Sequence, residues 1–151
     1  MICALMIGRA GSTGFPGKNF TQVLGRPLAA YPLLAAKASK YISRTFVSTD
    51  CPQIKAIADA HGAEQIERPP ELATKAALGE HAFLHGYHEI VARLAKSGEK
   101  LELLVLLFAN GATINAALID EGIEALRKQP ELDSAVTVSE YNMWSPLRAR
   151  T

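Results

Sequence analysis

The sequence has few cysteines and no excess of charge of either sign. Its 151 residues include two cysteines, Cys3 and Cys51, too few for a disulfide framework, so a reducing cytoplasm is the expected compartment. Lys and Arg number 16 against 15 Asp and Glu, for a formal charge of +1. This even balance excludes the basic surface that general nucleic-acid binding or attraction to an anionic membrane requires.

Long apolar runs are also missing. Residues 1–7 are apolar but have no basic region before them, which a secretory signal requires. Residues 103–108 fall far below the roughly 20 apolar residues of a membrane helix. The hydrophobic share of 48% and the charged share of 21% are typical of one globular domain with a sizeable core.

Short apolar segments alternate along the chain with longer amphipathic ones. β-branched and apolar runs predict strands, and three- and four-residue apolar spacing predicts helices. This alternation predicts an α/β domain with a mostly parallel sheet flanked by helices. The last long apolar run has the pattern of a strand covered on both faces. The predicted strands are 2–7, 45–49, 63–66, 101–108 and 134–139, and the predicted helices are 31–38, 53–60, 75–96 and 116–127.

Glycines and two cations follow the first predicted strand. Residues 8–19 contain four glycines, a pair of hydroxyl side chains, Arg9 and Lys18. Glycines let backbone N–H groups approach a ligand, Arg9 can bind phosphate oxygens bidentately, and Lys18 adds a point charge. Because ligands of parallel α/β sheets bind beyond the carboxyl ends of the strands, this loop predicts a polyphosphate site.

Two common phosphate motifs do not fit this loop. The P-loop pattern G-x-x-x-x-G-K-S/T fails because the segment from Gly11 to Gly17 is one residue too long and Asn19 replaces the hydroxyl. The dinucleotide pattern G-x-G-x-x-G fails between Gly8 and Gly11. A flexible connection without a ligand is the remaining alternative.

Four blocks of the sequence match one family in order. Residues 9–19 read R-A-G-S-T-G-F-P-G-K-N, against the pattern R-x-G-S-K-G-I/L-P-x-K-N. Residues 25–31 read G-R-P-L-A-A-Y, residues 47–50 read V-S-T-D, and residues 67–73 read E-R-P-P-E-L-A. Together the blocks resemble the cytidylyltransferases that activate sugar acids, the CMP-sialic acid synthetase group.

The resemblance implies a three-layer, Rossmann-like fold of the nucleotide-diphospho-sugar transferase type. It also implies transfer of a cytidylyl group from CTP to an acidic sugar such as a sialic-acid-like nonulosonate, with release of pyrophosphate. Mg²⁺ would be the cofactor, CTP and the sugar the partners, and two chains would be able to pair as a homodimer. Arg9 and Lys18 would have catalytic roles. The nucleotide would be bound by Arg9, Ala10, Gly11, Ser12, Lys18, Asn19 and Arg68.

The sequence departs from the family pattern in two places. Thr13 stands where the family has lysine, so one phosphate contact is lost. At the end of the long apolar strand, residues 106–114 read L-L-F-A-N-G-A-T-I against the family's L-L-Q-P-T-S-P-L-R, so the strand matches and the polar loop does not. Asn110 is the polar residue left at a nucleotide-contact position. A nucleotidyltransferase for another nucleotide or sugar, and a non-catalytic nucleotide-binding or assembly module, therefore remain alternatives.

The family's metal-binding aspartates would lie beyond Thr151. We therefore expect residues 1–151 to form a single nucleotide-binding domain, truncated at its carboxyl end and without metal ligands of its own. An aromatic tail folded over a sheet edge is the other interpretation of residues 141–151. Asp50, which precedes the predicted helix 53–60, is expected to cap that helix, and Gly62 to end it.

Three histidines share one predicted helix. His81, His85 and His88 fall at i, i+4 and i+7 of the helix 75–96, and histidines four residues apart can share a metal ion. No Glu lies between the first two in the manner of a zincin motif, and the neighbouring apolar residues occupy the buried side. We interpret the histidines as part of a polar helix face or a subunit contact.

Overall fold

A central parallel sheet joins strands from distant parts of the chain. The computed structural model describes residues 1–11, 15–74 and 77–138. In chain order the elements are β1 (Ile2–Ile7), β2 (Gln22–Val23), β3 (Arg26–Pro27), α1 (Ala30–Ala38), β4 (Arg44–Thr49), α2 (Pro52–Ala60), β5 (Glu64–Glu67), α3 (Gly79–Lys96), β6 (Leu103–Phe108) and α4 (Ala116–Lys128). Short 3₁₀ turns at Lys18–Phe20 and Pro70–Leu72 connect some of them.

The order of the strands creates a ligand crevice beside β1. In the described residues the sheet runs β5-β4-β1-β6, and all three strand pairs are parallel. The chain passes from β1 outward to β4 and β5 and then returns to β6 on the other side of β1. Such a reversal opens a crevice at the carboxyl ends of the strands, which here are followed by the glycine-rich loop and by Asn110. Strands β2 and β3 form a separate antiparallel hairpin.

Helices cover the sheet on both sides, because alternate residues of β1 point to opposite faces. Ile2, Ala4 and Met6 pack in one core cluster with apolar residues of α1, α2 and α4. Cys3, Leu5 and Ile7 pack in a second cluster with Ile90 and Leu94 of α3. This confirms the predicted α/β fold with three layers, and Cys3 is a fully buried core residue.

Most predicted elements are confirmed to within one or two residues, but helix α3 and the region after α4 differ. Helix α3 begins at Gly79 rather than at residue 75, because the N–H of Ala77 bonds to Thr74 Oγ1 in a turn; Lys75 and Ala76 lie outside the described residues. The strand predicted at 134–139 is wrong for residues 134–138. Val136 and Val138 are 78% and 90% exposed, since no described strand pairs with them. The predicted tail, 141–151, lies outside the described residues.

The prediction that β6 is covered on both faces is also wrong for the described part of the chain. Leu106 and Phe108 are 48% and 55% exposed. They point to the same face as α3, which packs mainly against β1 and β4, and the rings of Phe83 and Phe108 form a T-shaped contact with centroids 5.4 Å apart. Among the described helices, none has the length and apolar character needed to cross a membrane.

Candidate nucleotide-binding site

The glycine-rich loop leaves β1 where the sheet is tightly packed. An added Cβ at Gly8 would lie 2.8 Å from Ala109 Cβ and 2.8 Å from Ile54 Cδ1, so a larger residue would push the loop away. The Gly8 N–H donates to the Ser48 carbonyl of β4 at 3.3 Å. The start of the loop is therefore fixed at the carboxyl end of the sheet.

The far side of the loop is shaped by Gly17. Its φ of 72° is in the left-handed region that favours glycine. Its carbonyl accepts the N–H groups of Phe20 at 3.0 Å and Thr21 at 3.1 Å, which starts the short turn at Lys18–Phe20. This turn brings Lys18 and Asn19 back toward the start of the loop.

A small pocket of about 100 Å³ opens between the two sides of the loop. It contains five of the residues predicted to bind nucleotide, whereas the sixth loop residue, Ser12, lies outside the described residues. Sequence patterns did not predict Phe20, Cys51 and Gln53 at this site. The lining residues are Arg9, Ala10, Gly11, Gly17, Lys18, Asn19, Phe20, Cys51 and Gln53.

The two cations of the pocket have no acidic partner within the described ranges. Arg9 Nη1 donates to the loop's own carbonyls, Gly11 O at 3.3 Å and Ala10 O at 3.5 Å. Neither Arg9 nor Lys18 has a described carboxylate oxygen within 4.0 Å. Their positive charge is therefore available to an anion that enters the pocket.

Asn19 lines the same pocket and carries a buried side-chain acceptor. Its residue exposure is 8%, and its Oδ1 has no hydrogen-bond partner among the described groups. Its backbone carbonyl accepts the Ala29 N–H at 2.8 Å, which holds the residue in place. Leaving a buried acceptor unpaired costs about 1–3 kcal/mol, so a ligand that donates a hydrogen bond here would remove a penalty.

Arg68 lies behind the loop and does not line the pocket. It is 5% exposed, and it donates from Nη2 to the Ser48 carbonyl at 2.5 Å and from Nε to Ser48 Oγ at 3.3 Å. Burial lowers the pKa of the Arg68 guanidinium, the negative charge of Asp50 opposes this, and the positive charge of Arg9 lowers the pKa further. The cation is thus electrostatically coupled to the loop without reaching the pocket.

The prediction that Asp50 caps α2 is wrong. The residue at the N-cap position is Cys51, and no side chain of the described residues caps the helix. Asp50 Oδ1 instead accepts the Ala10 N–H at 2.9 Å, and Thr49 Oγ1 accepts the Cys51 N–H at 3.0 Å. Asp50 therefore faces the glycine-rich loop. At the other end of α2, the expected stop at Gly62, which has a φ of 72°, is confirmed.

Asn110 is exposed in the turn that follows β6. Its carbonyl accepts the Ala112 N–H at 3.1 Å, and it does not line the pocket. It shares the carboxyl edge of the sheet with the glycine-rich loop, because β1 and β6 are paired from Ile2–Leu103 to Ile7–Phe108. A nucleotide contact at Asn110 stays a prediction.

The unpredicted lining residues Cys51 and Gln53 come from the start of α2. Cys51 is 2% exposed, and its thiol donates to Gln53 Oε1 at 3.1 Å. The signal that could have located them is topological, since the residues that follow neighbouring parallel strands meet at one edge of the sheet. The sequence alone did not establish that β4 is a neighbour of β1.

Two possible metal sites were considered from the sequence, one for the family's Mg²⁺ and one at the three histidines of α3. No group of three or more His, Cys, Asp or Glu side chains in residues 1–11, 15–74 and 77–138 has a geometry that could hold a metal ion. His81 and His88 are exposed, and His85 buries an Nδ1 atom that has no described partner. Among the described residues, the pocket lining contains no carboxylate, the ligand that Mg²⁺ prefers, so these residues by themselves do not fit a magnesium site.

Comparison with known protein families identifies the family of the chain. A family model described as cytidylyltransferase matches residues 3–145. The chain belongs to the cytidylyltransferase family. This family match takes in both sides of the glycine-rich loop, the ends of β4 and β5, and the turn after β6. It confirms the resemblance found in the four sequence blocks.

Two relatives of this cytidylyltransferase-family chain carry names that refer to N-acylneuraminate and 3-deoxy-manno-octulosonate. The N-acylneuraminate cytidylyltransferase of Escherichia coli O18:K1:H7 is 41% identical over 73 residues, 48% of this chain and 17% of that protein. The 3-deoxy-manno-octulosonate cytidylyltransferase of Bdellovibrio bacteriovorus is 30% identical over 129 residues, 82% of this chain and 52% of that protein. The chain thus spans about half, or less, of the length of these relatives.

Solved structures show the same fold. A CMP:2-keto-3-deoxy-manno-octonic acid synthetase complexed with CTP matches with a TM-score of 0.64 at 19% identity, over 87% of this chain and 49% of that one. A cytidylyltransferase from Leptospira borgpetersenii serovar Hardjo-bovis matches with a TM-score of 0.62 at 17% identity, over 85% of this chain and 49% of that one.

Proposed function

We propose that this chain carries the triphosphate-binding part of a cytidylyltransferase that transfers CMP from CTP to an acidic sugar. The observation that carries the proposal is the pocket after β1. Arg9 and Lys18 both line it, and neither has a described acidic partner. Membership of the cytidylyltransferase family supports the reaction class. The names of the two relatives support a sugar acid of the N-acylneuraminate or 3-deoxy-manno-octulosonate kind.

The proposed reaction is a displacement at the α-phosphorus of CTP. A hydroxyl oxygen of the sugar acid forms the new P–O bond, and the bond between the α-phosphorus and the oxygen bridging to the β-phosphorus breaks. The hydroxyl proton is released, and pyrophosphate leaves with the electron pair of the broken bond. Negative charge grows on the leaving pyrophosphate, so catalysis depends on positioning and on cations that are already in place.

The described residues would supply three parts of this chemistry. Arg9 and Lys18 would hold and neutralise the phosphates from the two sides of the loop, which is their proposed catalytic role. Gly11, with a φ of 72°, would let the backbone approach the phosphates closely. Asn19 Oδ1 would accept a hydrogen bond from the nucleotide, and Arg68 would add positive potential from behind.

Two properties of the whole enzyme belong to the proposal on the resemblance alone. They are the use of Mg²⁺ and pairing of two chains. A cytoplasmic location is proposed from the low number of cysteines. The described pocket residues do not form a magnesium site.

Calorimetric titration with CTP, UTP, ATP and GTP tests the binding part of the proposal. We expect CTP to bind most tightly. Preference for another nucleotide would favour a nucleotidyltransferase of different specificity, and no binding of any of the four would favour a non-catalytic assembly module. A pyrophosphate-release assay with CTP, Mg²⁺ and a panel that includes N-acetylneuraminate and 3-deoxy-manno-octulosonate then tests the transfer itself.

A further inference from the structure

Two hydrogen bonds fasten the glycine-rich loop to the end of β4. The Gly8 N–H donates to the Ser48 carbonyl at 3.3 Å, and two residues later the Ala10 N–H donates to Asp50 Oδ1 at 2.9 Å. The first bond continues the parallel ladder between β1 and β4. The second lies beyond the ladder, where a side chain from the turn after β4 accepts the loop's N–H.

The same strand end also holds Arg68. The Ser48 carbonyl that accepts the Gly8 N–H accepts Nη2 of Arg68 as well. Arg68 has no described carboxylate within ion-pair distance, and the opposite charge that acts on it is that of Asp50. Asp50 therefore bonds to the loop and also balances part of the charge of a buried cation.

We propose that Asp50 is a positioning residue of the loop, a role that rests on the proposed function. By accepting the Ala10 N–H it turns this N–H toward the end of β4, while Arg9, Ala10 and Gly11 all line the pocket. The Ala10 N–H is consequently not a phosphate ligand in this arrangement. Asp50 acts on the nucleotide only through the conformation of the loop.

Two substitutions at Asp50 separate the hydrogen bond from the charge. Asp50→Asn keeps an oxygen that can accept the Ala10 N–H. The amide nitrogen takes the place of Oδ2, an atom that accepts no hydrogen bond from a described residue in the wild type. Asp50→Ala removes the acceptor. Amide hydrogen exchange of Ala10, measured by NMR without nucleotide, reports the bond directly. We expect protection in the wild type and in D50N, and at least tenfold faster exchange in D50A.

Nucleotide affinity provides the second measurement. We expect D50A to bind CTP at least tenfold more weakly and D50N to stay within threefold of the wild type. Lys18→Ala is the matched control, since it should weaken CTP binding and leave the Ala10 exchange rate unchanged. If D50A does not fold, D50N decides the question, because it must keep Ala10 protected.

The outcomes separate the two proposals. A wild-type chain that binds no CTP would contradict the proposed function, while the exchange of Ala10 would still test the role of Asp50. Three results would each overturn the positioning role. The Ala10 amide could be unprotected in the wild type, it could lose protection in D50N, or D50N could bind CTP as weakly as D50A. Unchanged exchange and affinity in D50A would overturn it as well.

Discussion

Arg68 donates from Nη2 to the backbone carbonyl of Ser48 at 2.5 Å, and this bond holds a guanidinium that is 5% exposed beside the end of β4. Burial lowers the pKa of Arg68, and the charge of Arg9 lowers it further, so two cations repel each other across the loop. An anion bound in the pocket would relieve this repulsion. The position of Arg68 at the end of β4 therefore favours the binding of phosphate beside Arg9.

Replacing Arg68 by Met should affect ligand binding more than folding. The variant loses two hydrogen bonds to Ser48 but also loses a buried charge, so the free energy of unfolding should change by less than about 1 kcal/mol. CTP binding should weaken severalfold because a positive charge that acts on the pocket from behind the loop is gone. Urea denaturation and calorimetry measure the two effects. Unchanged binding with a large loss of stability would assign Arg68 a purely structural role.

Arg9→Ala and Lys18→Ala should each weaken binding of CTP by about 1–3 kcal/mol, the range for charge-assisted hydrogen bonds. Neither change should lower the free energy of unfolding by more than about 0.5 kcal/mol, since neither side chain has a described ion-pair partner. Lys96→Ala, an exposed lysine at the far end of α3, is the control for net charge. Full CTP affinity in both loop variants would remove the phosphate assignment.

Gly86 and Gly122 both lie in helices, but alanine should have opposite effects at the two positions. A Cβ at Gly86 would lie 2.5 Å from Cδ2 of the fully buried Leu5, whereas the nearest atom at Gly122 is Ala135 Cβ at 3.8 Å. Overpacking costs about 1–3 kcal/mol and better helix propensity returns at most about 1 kcal/mol, so Gly86→Ala should destabilise by about 1–2 kcal/mol. Gly122→Ala should stabilise by about 0.5–1 kcal/mol. Thermal or urea unfolding measures both, and equal effects would contradict the packing of α3 on β1.

Stability should fall as the pH drops through the range of His61. Burial lowers the pKa of His61 from 6.5, and the charges of Lys37 and Arg26 lower it further. The unfolded chain therefore binds more protons below about pH 6.5, so this contribution is complete above that pH and is lost as the pH falls through the folded-state pKa. The urea midpoint should be lower at pH 5.5 than at pH 7.5, and His61→Gln should reduce the difference. An identical pH dependence in the variant would show that His61 does not contribute.

The sequence predicted the elements that have a clear spacing of apolar residues and a Pro or Gly at their ends. The apolar run of β1, the helix between Pro52 and Gly62, and α4 were located to within one or two residues. The valines near residue 136 favoured a strand, yet they are exposed, because intrinsic preference cannot replace a neighbouring strand. The alternation of elements predicted a parallel sheet but not the place of β6 at its described edge, and therefore not the exposure of Phe108.

The candidate site was predicted where its residues are contiguous in the chain. Arg9 and Lys18 stand in one loop, so their charge and the surrounding glycines indicate phosphate whatever the order of the strands. The role of Asp50 could not be predicted in this way, since its partner Ala10 is 40 residues away and the pairing depends on strand order. Local sequence favoured a helix cap at Asp50, and the tertiary contact with the loop replaced it.

An NMR titration of the labelled chain tests the central claim most directly, with inorganic tripolyphosphate and CTP as separate ligands. If the loop after β1 binds the triphosphate, the amide signals of residues 8–11 and 17–20 should shift with both ligands, and those of Asp120 and Glu124 on α4 should not. Two results would contradict the account. In one, the chain binds either ligand but the amide signals of the loop do not shift. In the other, the loop signals do not shift even at saturating concentrations of both ligands.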